Sequence, residues 1–372
     1  MYTIQSIEGK GRGCFSTTMI PAGAIVAEFK DLTAVPSVCW NSNVCANCFQ
    51  FDWRKILKLR CNSCRMASYC SQQCKASDML HHSKMCSALK KLAGIFQKDE
   101  RYTQNLPVCN NACLTVRVLC QDYNYSGLCS LTLDQIGPEL AQDFRLVAEA
   151  VAAATDGAFE EEVVTDFLAR SECNCFSFWD ETYEQYGLAV CVPASMFNHS
   201  CAPNVCKVNK GSVLVFHALR EIAPGEELEI SYIQLSAEKE NRSHVLEKYF
   251  GFSCQCQRCE DDDGFKFSKS FENLYVCPCG GVFCPLPGRC ERVCTICKSC
   301  QPSTKAGEND LFLTTSTDWK CTTSTVMEYG KLKNNGIMLA PSCNAEVILD
   351  GYDKDELTVQ CLYYTQFFQN II

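Results

Sequence analysis

Apolar positions recur with different periods along the chain and divide it into blocks. Residues 1–44 read as short strands and turns, with Ile20-Pro21-Ala22-Gly23 as a turn and Ala24 to Glu28 extended. Residues 138–155 carry a helical stripe of Leu140, Phe144, Val147, Ala148 and Val151, opened by Pro138 at the first helical position. Residues 159–170 repeat that period with Phe159, Val163 and Phe167. From 187 to 233 the pattern changes to strands. Ser212 to Leu219 is rich in β-formers, Ala223-Pro224-Gly225-Glu226 is a turn, and Glu227 to Ile233 alternates, with Leu228, Ile230 and Tyr232 on one face. Residues 236–250 return to helix, and residues 301–372 are polar and weakly patterned. No repeat of about 30–45 residues is present.

Composition adds one unusual feature. Of 372 residues, 31 are cysteine, in a chain long enough to bury an apolar core without disulfide staples. The first ten residues have no apolar h-region and no run of about 18 apolar residues exists, so neither a secretory leader nor a membrane span is expected. In a reducing compartment clustered cysteines read as metal ligands. The formal charge is −9, unevenly spread. Between Cys45 and Lys98 ten basic residues face only Asp52 and Asp78, a net +8, which leaves −17 for the remainder. An acidic body with a small basic module argues against nucleic acid as a direct specific partner.

That basic module holds a ladder of ligand pairs: Cys45-x2-Cys48, Cys61-x2-Cys64, Cys70-x3-Cys74 and His82-x3-Cys86. Eight ligands suffice for two tetrahedral zinc sites, and thiolate softness favours zinc over magnesium or calcium. His81 is a competing nitrogen whose spacing to Cys86 fits less well. Cys254-x-Cys256-x2-Cys259 offers three sulfurs, one short of a structural tetrahedron. Cys277, Cys279, Cys294 and Cys297 form a candidate fourth group, with Cys300 competing for either later position.

The ladder resembles the MYND finger, a small zinc module that usually binds proteins. In order along the chain, Gly11-Arg12-Gly13, Asn198-His199-Ser200-Cys201-x-Pro203-Asn204 and Glu226 to Tyr232 resemble the motifs of SET-domain lysine methyltransferases of the SET-and-MYND (SMYD) group. The resemblance covers about residues 1–260 and implies an α+β, β-rich SET pseudoknot fold. Its parts would be the SET N-terminal part (1–44), an inserted MYND finger (45–86), a helical linker and SET insert (87–186), the catalytic part (187–235), a post-SET zinc region (236–260) and a Cys-rich C-terminal region (261–372). It implies zinc on Cys45, Cys48, Cys70 and Cys74, zinc on Cys61, Cys64, His82 and Cys86, and a third zinc in which Cys201 completes Cys254, Cys256 and Cys259.

The resemblance also implies S-adenosylmethionine as cofactor, bound by Lys10, Gly11, Arg12, Asn174, Asn198, His199, Phe250 and Phe252, with Tyr232 as the catalytic tyrosine. A protein substrate presenting lysine, a protein partner for the finger, and residence in cytoplasm and nucleus are expected. Phe250 stands where the family usually has tyrosine, and Gln234 where it often has an acid, while few residues follow Cys259 compared with the long helical repeat domain of many members. The alternative is a non-catalytic SET/MYND adaptor or transcriptional co-regulator.

Overall fold

The computed structural model describes residues 1–260 except 31, 133, 180–184, 234 and 236–238, together with six short strands beyond residue 260. Gln234 and the candidate fourth metal group (Cys277, Cys279, Cys294, Cys297 and Cys300) lie outside the residues whose side chains it describes.

The chain opens with strands β1 (Tyr2–Ile7), β2 (Gly11–Ser16), β3 (Ile25–Phe29) and β4 (Thr33–Pro36). The Cys/His module contributes β5 (Leu59–Arg60) and β6 (Ser68–Tyr69), and a helical layer follows: α1 (Gln72–Lys98), α2 (Glu100–Thr103), α3 (Leu106–Cys120), α4 (Pro138–Ala154) and α5 (Glu161–Asn174). Strands then resume as β7 (Phe176–Trp179), β8 (Gln185–Val190), β9 (Asn198–His199), β10 (Val205–Lys210), β11 (Val213–Ala218) and β12 (Glu227–Ile230). Helix α6 (Lys239–Val245), a π-helical turn (Leu246–Phe250) and α7 (Gln257–Glu260) follow.

Local chemistry explains most of the helix starts. The Ser71 hydroxyl accepts from the Cys74 N–H and caps α1, which runs without a break out of the finger and into the helical layer. Asn105 caps α3 in the same way, with Pro107 in its first turn. Helix α3 is buried on nearly every side from Val108 to Leu119, as suits the central helix of a layer. Helix α4 buries Phe144, Val147, Ala148 and Val151 of the expected stripe. Of the stripe expected over 159–170, Phe167 is buried and Phe159 packs against the core, and Val163 alone departs from it. Glu161 and Glu162 form the first turn of α5, where acids suit the helix dipole. The buried face is then Val164, Phe167, Leu168 and Ser171, and Val163 is 38% exposed.

Three small sheets surround a core of Phe29, Phe178, Phe197, Phe216, Leu228 and Ile230. One sheet has the order β1-β2-β12-β9, the second β10-β11-β3 and the third β4-β8-β7. Strand β12 is antiparallel to β2, with Leu228 opposite Cys14, and parallel to β9, with Glu229 opposite Asn198 and Ile230 opposite His199. The last strand thus lies between the chain's beginning and the Asn198 segment. The finger is bolted to this sheet layer. Phe51 stacks on Tyr186 with ring centroids 4.7 Å apart. At the β10–β11 turn, Gly211 (φ +58°) approaches so closely that a Cβ would lie 2.6 Å from the Cys48 carbonyl oxygen.

Candidate active site and metal centres

The twelve expected ligands gather into three sets: Cys45, Cys48, Cys70 and Cys74; Cys61, Cys64, His82 and Cys86; and Cys201, Cys254, Cys256 and Cys259. In each set the ligand atoms lie within 4.8 Å of one another. A tetrahedron with zinc–sulfur bonds of about 2.3 Å has edges of roughly 3.8 Å. The separations Cys48–Cys70 (3.6 Å), Cys70–Cys74 (3.5 Å), Cys61–Cys86 (3.5 Å) and Cys201–Cys259 (3.6 Å) are close to that value. His82 Nε2 stands 3.5 Å from Cys64 Sγ, so His82 and not His81 faces the second set. The residues therefore fit three tetrahedral zinc ions. The hydrogen bond between Cys45 and Cys48 pushes the first thiol down and the second up, so one of the pair carries thiolate character before any ion binds. Every cysteine from Cys14 to Cys259 is free of disulfides.

The third set sits under the candidate catalytic cleft. Cys201 follows His199 by two residues, and His199 Nδ1 accepts from the Tyr232 N–H at 3.0 Å. The Tyr232 hydroxyl donates to the Phe197 carbonyl at 2.7 Å. Its ring is boxed by Phe250 (centroids 5.1 Å apart), His199 (5.4 Å) and Phe252 (6.4 Å, edge-on). Burial, and then the nearby Cys129 and Cys173, push the phenol well above its usual range. Tyr232 therefore remains a neutral phenol at physiological pH.

Beside it lies a polar cluster built by β2, β9 and β12. Asn198 Nδ2 donates to the Arg12 carbonyl (2.7 Å) and to Glu227 Oε1 (2.8 Å). Lys10 Nζ is 3.5 Å from Glu227 Oε2 and 3.7 Å from Glu229 Oε1. Gly11 turns the chain at φ +82° between Lys10 and Arg12. Arg12 Nε and Nη2 are buried with no hydrogen-bond partner, an arrangement that costs free energy until something fills it.

The structure thus brings Lys10, Gly11, Arg12 and Asn198 together on one side, and Tyr232, His199, Phe250 and Phe252 on the other. Asn174 is anchored on a third wall, where its Nδ2 donates to the carbonyls of Cys129 (2.9 Å) and Arg170 (2.7 Å). From that wall Gln135 Nε2 reaches the Gly251 carbonyl at 2.9 Å, beside Phe250 and Phe252.

Four contributors are absent from the sequence expectations: Glu227, Glu229, Gln135 and the Phe197 carbonyl. The two glutamates were legible in principle, since they alternate with Leu228 and Ile230 and so occupy the other face of β12. The roles of Gln135 and Phe197 depend on contacts across long chain separations and leave no local signal.

A fold in which β12 is laid between β2 and β9, with one metal set beneath the Tyr232 pocket and two in the finger, defines a class. The family profile described as SET domain matches residues 11–233, and the chain belongs to the SET domain family. Its relatives are of the SET-and-MYND type. It is 27% identical to the chicken N-lysine methyltransferase SMYD2 over 68% of this chain and 58% of that one, and 27% identical to human SMYD2 over 72% and 62%. A SET and MYND domain-containing protein of Dictyostelium discoideum is 26% identical over 70% of this chain and 81% of its own length. The chain therefore spans about 60% of the length of the SMYD2 relatives. The crystal structure of the SET domain of LSMT bound to lysine and AdoHcy is similar at 13% identity and TM-score 0.30, covering 68% of this chain and 53% of that one, too slight a likeness to carry an argument.

Proposed function

We propose that the chain is an S-adenosylmethionine-dependent protein-lysine N-methyltransferase, acting on histone or non-histone proteins, with the finger as a protein-docking arm. The reading rests on family membership, on relatives named as N-lysine methyltransferases, and above all on one observation. A neutral, half-buried tyrosine is held in an aromatic box within electrostatic reach of Arg12, two of whose guanidinium nitrogens are buried with no hydrogen-bond partner.

The residues present suit the proposed cofactor. Unpaired Arg12 nitrogens and Lys10, set beside Glu227 and Glu229, match the carboxylate and ammonium of an α-amino-acid end. Lys10, Gly11, Arg12, Asn174, Asn198 and His199 would hold it. When bound it supplies an activated methyl group on a sulfonium. The chain's own work lies on the lysine side. A lysine amine has an ordinary pKa near 10.4 and attacks only when neutral. Phe250, Phe252 and the Tyr232 ring give an apolar channel that disfavours the charged ammonium. The Tyr232 hydroxyl spends its proton on the Phe197 carbonyl, which leaves its oxygen lone pairs to accept from the amine N–H and align it. Because the phenol is shifted upward, Tyr232 orients the amine and does not serve as its base.

The finger exposes Met79, Leu80 and Ile56, which supports its part as a docking arm. The test is incubation of the chain with methyl-labelled S-adenosylmethionine and either histones or a cell lysate, beside Tyr232→Phe. Label in protein with wild type and none with the variant supports the enzyme. S-adenosylmethionine neither bound nor transferred by the wild type would leave the adaptor.

A further inference from the structure

We propose that Arg242 is a positioning residue that neutralises the third metal set and keeps it loaded. The guanidinium lies on α6 and is 4% exposed. Its Nε donates to Cys201 Sγ at 3.3 Å, and its Nη2 is 3.9 Å from Cys259 Sγ. Arg258 adds a second cation, donating through Nη1 to the Cys201 carbonyl at 3.1 Å.

The charge balance gives this arrangement its purpose. A dication held by four thiolates carries about −2. In this set Cys201 is fully buried and Cys259 8% exposed, whereas the first set has Cys70 at the surface. Burying an uncompensated −2 is costly. Two guanidiniums bring the assembly to about zero. Of the two, Arg242 acts on the sulfurs themselves. An N–H···S bond draws electron density from a thiolate and makes it harder to protonate and displace from the metal. Arg242 also passes its order onward. Helix α6 continues directly into the π-helical turn that ends at Phe250, and Leu246 of that turn packs on Cys201 and Cys259. The aromatic box around Tyr232 therefore shares its footing with this metal set.

The test is differential alkylation of the full chain loaded with zinc. A chelator is added, thiols freed over time are trapped with N-ethylmaleimide, and peptides are mapped by mass spectrometry. Arg242→Met keeps volume and removes charge. It is expected to speed alkylation of Cys201, Cys254, Cys256 and Cys259 by about 10- to 100-fold, while the finger cysteines keep wild-type rates and serve as an internal control. Arg242→Lys restores charge without the fork and is expected to fall between wild type and Arg242→Met. Arg258→Met, which bonds a carbonyl, is expected to change the rates less than Arg242→Met. Should Arg242→Met fail to fold, Arg242→Lys decides: faster release confined to the third set supports the proposal, and wild-type release overturns it. For a folded Arg242→Met, wild-type rates, or equal acceleration at all three sets, overturn it.

Discussion

Gly13→Ala tests the polar side of the cleft with a single methyl group. Gly13 lies in β2 opposite Gln5, at an ordinary backbone angle, so alanine brings no backbone strain. A Cβ there would lie 2.6 Å from Glu227 Oε1, 2.6 Å from Ile7 Cδ1 and 2.9 Å from Asn198 Nδ2. All three distances are too short for real contacts. The Ile7 methyl can swing aside. The other two atoms are bonded to each other at 2.8 Å, and Asn198 Nδ2 is also held by the Arg12 carbonyl, so they cannot both yield and keep that bond.

Overpacking of this kind costs about 1–3 kcal/mol of stability. Displacing Asn198 also moves it off its proposed contact with the cofactor, and losing a hydrogen bond to a charged group there, worth about 1.5–3 kcal/mol, corresponds to roughly 10- to 150-fold weaker binding. Calorimetric titration with S-adenosylmethionine and a thermal melt read the two effects separately. Gly94→Ala, in helix α1 with open space around its Cβ, is the control and is expected to leave both unchanged or slightly improved. Wild-type affinity in a folded Gly13→Ala protein would refute the placement of the cofactor beside Asn198.

Two further outcomes follow from the same geometry. Phe250 leaves room beside Tyr232 for a lysine that already carries a methyl group, so Phe250→Tyr, which places a hydroxyl there with the ring centroids 5.1 Å apart, is expected to lower the number of methyl groups added per lysine; identical product states by mass spectrometry would refute that role. Glu229 is pushed up to about 7 by burial first and by Glu227 next, with Lys10 opposing, against an ordinary 4.5. The folded state then holds the proton through a window in which the unfolded state has released it, so this group lowers stability as pH rises from about 4.5 to about 7. Glu229→Gln is expected to melt above wild type by a margin that grows across that window and levels off beyond it; a margin independent of pH would contradict the shift.

The metal sets were the most legible part of the chain. Spacing alone pointed to tetrahedral sites, and the interleaved pairing of Cys45 and Cys48 with Cys70 and Cys74 followed from resemblance to the MYND finger. Alternation along Glu227 to Ile233 placed Leu228 and Ile230 in the core. A period counted from Phe159, which precedes α5, reaches the buried Phe167 but sets Val163 where Val164 belongs. The cleft itself was legible only as motifs. Its working contacts join Asn198 to Arg12, Tyr232 to Phe197, Gln135 to Gly251 and Arg242 to Cys201. Such contacts arise when the strands cross, and no local period in the sequence announces them.

The most direct measurement is tandem mass spectrometry on protein treated with the chain and isotopically methyl-labelled S-adenosylmethionine. The account predicts labelled methyl groups on lysine Nε atoms. It predicts their loss in Tyr232→Phe, a variant that still binds the cofactor and gives up about 1 kcal/mol of stability with its bond to the Phe197 carbonyl. Labelled lysine at wild-type levels in the Tyr232→Phe sample, or cofactor bound by the wild type with no methyl-lysine formed in any protein offered, would contradict it.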